Sequence, residues 1–308
     1  LRRTQFRAAD DPARCTRIAR NIIAGKIQNS RNSLLRAARE NGDAEETDRL
    51  TAVTEALANQ LREIAPERPA AGEATVGTLR GADAEFSGVS TDTRTLARGN
   101  LFVALVGPHF DGHGFVSEAA GKGAIGALVS RALETDIATV QVADTHLSLG
   151  QLAAHWRRQF QIPVIAVTGS NGKTTVKNMI AAILDVAGPT LATQGNLNND
   201  IGVPLTLLRL RQGDRHAVIE MGMNHPGEID YFTRLAHPTI ALINNAAAAH
   251  LAGLGSVEAV ARAKGEIYAG LAADGVAVIN ADDAYADLWR ELAAPHRVIT
   301  FGIDRPAD

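Results

Sequence analysis

Nine consecutive residues, Val167-Thr168-Gly169-Ser170-Asn171-Gly172-Lys173-Thr174-Thr175, carry the clearest chemistry in the chain. They follow the apolar run Pro163 to Val167 and precede a helical pattern with Val176, Ile180, Ile183 and Leu184 on one face. Strand, glycine loop and helix together are the context of a phosphate-binding loop. Glycines let backbone N–H groups approach phosphate oxygens, and the helix start adds partial positive charge. Lys173 would reach the terminal phosphates and the Thr174 hydroxyl would hold Mg²⁺. The loop is a shortened variant, because Val167 stands where the usual first glycine would be. Thr168, Gly169, Ser170, Asn171, Gly172, Lys173, Thr174 and Thr175 are therefore the candidate nucleotide-binding residues.

Four clusters follow. Gly195 to Pro204 (Gly-Asn-Leu-Asn-Asn-Asp-Ile-Gly-Val-Pro) is dense in turn formers and in side chains that hydrogen-bond ligands. Glu220 ends the apolar strand pattern Val218-Ile219, and a carboxylate there can hold Mg²⁺ beside bound phosphates. Asn244-Asn245-Ala246-Ala247-Ala248-Ala249-His250 follows another strand, and Lys264 lies in a helical stretch. Singly these are ordinary: a solvated strand end, a structural histidine, a surface lysine. Their order, each beyond the end of an apolar strand, gives them weight together.

The elements that must position these residues alternate. Strand patterns at 163–168, 216–220, 239–244, 276–280 and 297–301 are separated by helical ones, which implies a mostly parallel sheet covered on both faces. The phosphate loop then sits where such sheets bind ligands. Upstream, Phe86 to Val89, Asn100 to Val106 and Ala124 to Val129 read as strands and 145–160 as a helix. Residues 12–65 differ. Pro12 follows the helix cap Asp11, apolar residues recur at helical spacing, and Asn41-Gly42-Asp43 divides two helices. Pro66 to Gly72 reads as a linker.

The 308 residues suggest about two domains. Apolar content of 45% and 21% charged residues fit a soluble globular protein. The single cysteine, Cys15, excludes an internal disulfide and a cysteine-cluster metal site, and fits a cytoplasmic setting. No apolar run is long enough for a spanning helix, so no membrane partner is expected. The net charge of −3 carries no global nucleic-acid signal, yet residues 1–39 hold ten Lys or Arg against two acids, a local net of +8. Such asymmetry can mark an anionic partner.

From about residue 75 onward the combination resembles the Mur ligase family, the ATP-dependent amide-forming enzymes of peptidoglycan precursor synthesis. Ser90-Thr91-Asp92-Thr93-Arg94, Gly99 to Leu105 and Phe110-Asp111-Gly112-His113 extend the likeness into that family's N-terminal domain. The resemblance implies an α/β fold with an N-terminal UDP-substrate domain over 71–160 and a central P-loop ATPase domain with a mostly parallel sheet over 161–308; the basic α-helical hairpin and linker over 1–70, read from their spacing, precede it and do not belong to that family. It also implies the reaction. ATP phosphorylates the terminal carboxylate of UDP-MurNAc-tripeptide, and the amine of D-Ala-D-Ala displaces phosphate from the acyl phosphate. Lys173, Asn199, His250 and Lys264 take catalytic roles in this likeness. Thr174 and Glu220 hold one Mg²⁺, His250 helps hold a second, and Lys264 matches a carbamylated lysine that serves as an anionic metal-site ligand. Asn280 contacts the nucleoside. Ser90, Asp92 and Arg94 belong to the uridine-substrate side, although Asp92 and Arg94 could equally form a structural ion pair. The family has a third domain, which would begin where this chain stops at Asp308, so little ligase activity is expected of the chain alone. Another branch of the family, or a different P-loop enzyme such as a kinase, is the alternative reading.

Residues 1–66 resemble a different family, the CRISPR-associated spacer integrase, through Phe6 to Arg14, Ile18-Ala19-Arg20 and Gly25 to Arg31. The likeness stops short of that family's catalytic metal ligands. It implies at most weak DNA contact through residues 1–39, and a generic basic helical hairpin is the plainer alternative.

Overall fold

The computed structural model describes residues 77–107, 109–248 and 256–308. The basic hairpin, the linker Pro66 to Gly72 and His250 lie outside them. Residues 71–308 form one compact unit, built around two sheets.

The first sheet has the order β1-β7-β6-β3-β2, with β1 Thr78–Arg80, β2 Gly88–Ser90, β3 Asn100–Val103, β6 Gly126–Val129 and β7 Ala138–Gln141. All pairs are parallel except edge strand β1, which runs antiparallel to β7. A small hairpin, β4 Val106–Gly107 with β5 Phe110–Asp111, leaves its rim. Helix α1, Val116–Gly121, packs on one face. The strand expected over 100–106 is thus split: β3 ends at Val103, and the chain turns into the hairpin. Phe86 is exposed and precedes β2.

The second sheet is fully parallel, in the order β13-β12-β11-β8-β10-β9. Its strands are β8 Val164–Thr168, β9 Thr190–Ala192, β10 His216–Glu220, β11 Ile240–Ile243, β12 Val276–Asn280 and β13 Arg297–Phe301. Every residue of β8 is buried, as expected for an apolar run covered on both faces. Strand β8 lies between β10 and β11. The chain therefore leaves β8 toward one side and returns later on the other, which places a crevice beyond the carboxyl end of β8.

Among the described residues five α-helices cover this sheet: α3 Lys173–Ala187, α4 Gly202–Leu207, α5 Glu228–Ala236, α6 Val257–Gly265 and α7 Ala286–Ala293. Helix α3 meets the sheet through Val176, Ile180, Ala181 and Leu184, which pack on Ile165, Val167, Val218 and Leu242. Ile183, expected on that face, instead points to solvent at 69% exposure. The buried face is turned away from Ile183 and extends to Ala181 on the far side of Ile180 and Leu184.

Helix α2, Thr145–Arg157, joins the two sheets. Asp144 caps it by accepting the N–H groups of His146 and Leu147. Leu149, Ala153 and Ala154 enter a core shared with β8, α4 and α5. An apolar cleft of about 210 Å³ lies between α2 and the first sheet, lined among others by Leu79, Phe86, Leu101, Val140 and Leu152. It carries no cluster of reactive side chains. Among the described residues no helix is long and apolar enough to cross a membrane.

Candidate functional site

The loop after β8 is four residues long, Gly169 to Gly172. Gly172 adopts φ 73°, the left-handed conformation that opens α3, and a side chain there would be strained. The Lys173 ammonium folds back over the loop, donating to the carbonyls of Gly169 at 2.9 Å and Ser170 at 3.3 Å. Burial lowers the pKa of Lys173, with Glu220 opposing the shift. The lysine is thus half-buried and aimed at the space bounded by the loop.

The Thr174 hydroxyl donates to Glu220 Oε2 at 2.9 Å. The other oxygen, Oε1, accepts from Asn198 Nδ2 at 2.8 Å. Glu220 is buried, and its own N–H is held by the Thr193 hydroxyl. Lys177, also buried, donates to the Thr193 carbonyl at 2.7 Å. A buried carboxylate fixed by neutral donors next to a threonine hydroxyl is a pair of hard oxygen ligands. That is the donor set Mg²⁺ takes beside a phosphate.

Lys264 lies on the last turn of α6 and is only 2% exposed. Its amine is pushed down to about 7, first by desolvation and second by the charge of Lys173. The second cause ties Lys264 electrostatically to the loop lysine. Ser256 caps α6, and Trp289 of α7, fully buried, donates to the Ala261 carbonyl. These contacts fix the helix that carries the amine.

The residues after β11 clasp the loop. Asn244 Nδ2 and Asn245 Nδ2 both donate to the Asn171 carbonyl. The Ala247 N–H donates to the Ser170 hydroxyl. Asn280 at the end of β12 donates to the Asn244 carbonyl, and Asp283 accepts the Ala246 N–H.

The structure therefore gathers Gly169 to Thr174, Glu220 and Asn280 at the carboxyl edge of one sheet. The Thr168 hydroxyl, expected at the nucleotide, is fully buried and donates to the Met221 carbonyl, so it belongs to the sheet. Thr175 is exposed on the first turn of α3. Asn199 accepts the Gly202 N–H through Oδ1 and thereby holds the turn into α4. Ser90, Asp92 and Arg94 sit at the end of β2 in the other sheet. Arg94 and Asp92 form an ion pair at 2.6 Å, and the Arg94 hydrogen bond lowers Asp92 to about 2. The ion-pair alternative thus describes their geometry. Sequence reasoning missed Asn198, Thr193 and Asn245. The density of polar residues at 195–204 and 244–250 hinted at Asn198 and Asn245, while Thr193 lies outside both stretches and had no signal.

Sequence and fold comparisons place the chain among known proteins. Residues 167–308 match the Mur ligase middle domain, and residues 1–88 match the CRISPR associated protein Cas1 family. The UDP-N-acetylmuramoyl-tripeptide–D-alanyl-D-alanine ligase of Escherichia coli is 52% identical over 225 residues, 73% of this chain and 50% of that protein. The Bacillus subtilis ligase of the same name is 43% identical over 217 residues, 68% of this chain and 48% of its own length. The chain spans about half the length of the curated relatives it matches. Among solved structures, MurF from Acinetobacter baumannii superposes with a TM-score of 0.71 at 44% identity, over 74% of this chain and 51% of that one. MurF from Thermotoga maritima in complex with ADP gives 0.64 at 30% identity, over 71% and 51%.

Proposed function

Since the chain from about residue 75 onward belongs to the Mur ligase family, with a Mur ligase middle domain at 167–308, we propose that it carries the nucleotide-binding part of an ATP-dependent peptide ligase. The reaction is that of the relatives' name, joining D-Ala-D-Ala to UDP-MurNAc-tripeptide. The observation that carries this reading is the Lys173, Thr174 and Glu220 constellation beyond β8, with the buried Lys264 amine electrostatically coupled to it.

Residues 161–308 bind ATP in this reading, and residues 71–160 serve the UDP end of the peptide substrate, with Ser90 and the Asp92–Arg94 pair on that side. N–H groups of the first turn of α3 donate to the phosphate oxygens at the positive end of the helix. Lys173 leaves the loop carbonyls and neutralises charge on the transferring phosphoryl group. Thr174 and Glu220 would hold Mg²⁺, which supplies charge neutralisation at the phosphate oxygens when bound. A carboxylate oxygen of the tripeptide bonds to the γ-phosphorus as the bond to ADP breaks. The amine nitrogen of D-Ala-D-Ala then attacks the acyl carbon, phosphate departs with the C–O bond, and the nitrogen loses a proton.

Lys264 fits an anionic role after modification. An amine that releases its proton near pH 7 can add CO₂ at nitrogen and lose a proton, leaving a carbamate. Such a group beside Lys173 would reverse the local charge. His250 and Asn199 complete the catalytic set in this reading, and Asn280 lies toward the nucleoside.

Calorimetry with ATP and Mg²⁺ on the chain and on Lys173→Ala tests the reading. Binding by the parent that weakens at least about 30-fold in the variant supports it, because a lost phosphate contact of about 2 kcal/mol has that effect. Equal binding by both proteins would move the nucleotide away from this loop.

A further inference from the structure

One residue in the stretch after β11 has a role that the catalytic reading leaves unused. Asn245 meets the tip of the phosphate loop with three polar atoms. Its backbone carbonyl accepts the Ser170 N–H at 3.0 Å. Its Oδ1 accepts the Asn171 N–H at 2.9 Å, and its Nδ2 donates to the Asn171 carbonyl at 3.1 Å. The side-chain amide thus grips both polar groups of Asn171, as a neighbouring strand residue would. Asn244 shares the Asn171 carbonyl at 2.9 Å, but the N–H side belongs to Asn245.

The shortened loop explains the need. Where a longer loop would close on itself, this one has four residues between β8 and α3, and Val167 lies inside the strand. A loop whose tip is exposed has few contacts of its own to hold it. The clasp also sorts the donors. It occupies the N–H groups of Ser170 and Asn171 and leaves those of the first turn of α3, which helix geometry keeps unbonded, to face a phosphate.

We propose that Asn245 is a positioning residue for nucleotide phosphate, acting through Asn171 to hold the loop in its receiving shape. The inference rests on the nucleotide reading above. It makes affinity for a nucleoside diphosphate depend on a side-chain amide that touches no part of the ligand.

The test is calorimetry with Mg²⁺ and ADP on the full chain, Asn245→Ala, Asn245→Asp and Lys173→Ala, at pH 8 and pH 5, with melting temperatures recorded alongside. Asn245→Ala is expected to bind about tenfold more weakly, the effect of one or two lost hydrogen bonds. Asn245→Asp is expected to be weaker still at pH 8, where a carboxylate opposes the Asn171 carbonyl. The Asn171 carbonyl that the new carboxylate faces raises its pKa above the ordinary value of about 3.9, so toward pH 5 it takes up a proton, regains a donor beside its acceptor, and the ratio of its Kd to the parent's falls. Asp283, which holds Ala246, and Lys173, which holds Gly169 and Ser170, are common to parent and variant, so the ratio isolates position 245. Should Asn245→Ala melt early, the pH profile of Asn245→Asp decides alone. Variants within twofold of the parent at both pH values, or a ratio indifferent to pH, overturn the proposal while Lys173→Ala still loses binding. A folded parent that binds no ADP removes the nucleotide reading and this inference together.

Discussion

At the residue scale the unusual group is Lys264. An ammonium at 2% exposure is costly, and its amine is pushed down to about 7. Because the folded pKa lies below the ordinary lysine value, the folded state binds fewer protons than the unfolded chain between about pH 7 and 10. Stability contributed by this site therefore rises with pH across that window and is lowest below it. Lys264→Met, similar in volume and uncharged, is expected to stabilise the chain by about 1–4 kcal/mol near pH 6 in CO₂-free buffer. The gain should shrink toward pH 10. Denaturant midpoints at both pH values measure it, and a gain that grows with pH would contradict the assigned burial. Lys264 was legible only through family likeness, since a lysine in a helix is ordinary by pattern. Lys173, Thr174 and Glu220 were legible from spacing, because a phosphate loop is local and the carboxylate ends its own strand. Asn245 was not, because its partners are 74 and 75 positions away in sequence and adjacent only once β11 lies beside β8.

At the scale of elements, the second sheet followed from its apolar runs, since strands buried on both faces read as continuous hydrophobic stretches. Strands β1, β7 and β9 were missed. They are three or four residues long, and their pairing comes from neighbours rather than from any run of their own. Helix α2 has a consequence that pattern alone did not reveal. His146 in its first turn lies 3.7 Å from Asp200 of the Asn-rich loop, an ion-pair distance, and 3.3 Å from the Val106 carbonyl of hairpin β4–β5. Asp200 raises the pKa of His146, with Asp144 adding to the effect. A raised folded pKa means that the contribution is fully present below the unfolded value of about 6.5 and is lost as pH rises through the folded one. His146→Gln is expected to cost up to about 1 kcal/mol at pH 5 and almost nothing at pH 9, in keeping with a part-exposed pair. Thermal melts at the two pH values decide, and a larger cost at pH 9 would reverse the assignment.

At the scale of the whole molecule, residues 71–308 bring a site at the edge of one sheet into fixed relation with a second sheet. Helix α2 supplies the joint. Arg157, buried, donates to the carbonyls of Ala236, Phe160 and His237, and Trp156 donates to the Leu210 carbonyl. These contacts hold α2 against the carboxyl end of α5 and the turn after α4. Alternating strands and helices made the α/β class legible, but which helix would bridge the sheets was not, since Arg157 and Trp156 look like surface residues in sequence. The basic segment 1–39 lies outside the described residues, and its match is to another family. The central claim concerns the loop, and a crystal of the chain soaked with ADP and Mg²⁺ tests it most directly. The account predicts the β-phosphate at the N–H groups of the first turn of α3, Lys173 turned onto it, and the metal touching Thr174 Oγ1 with Glu220 alongside. Well-ordered ADP bound elsewhere, with Lys173 still on the carbonyls of Gly169 and Ser170, would contradict it.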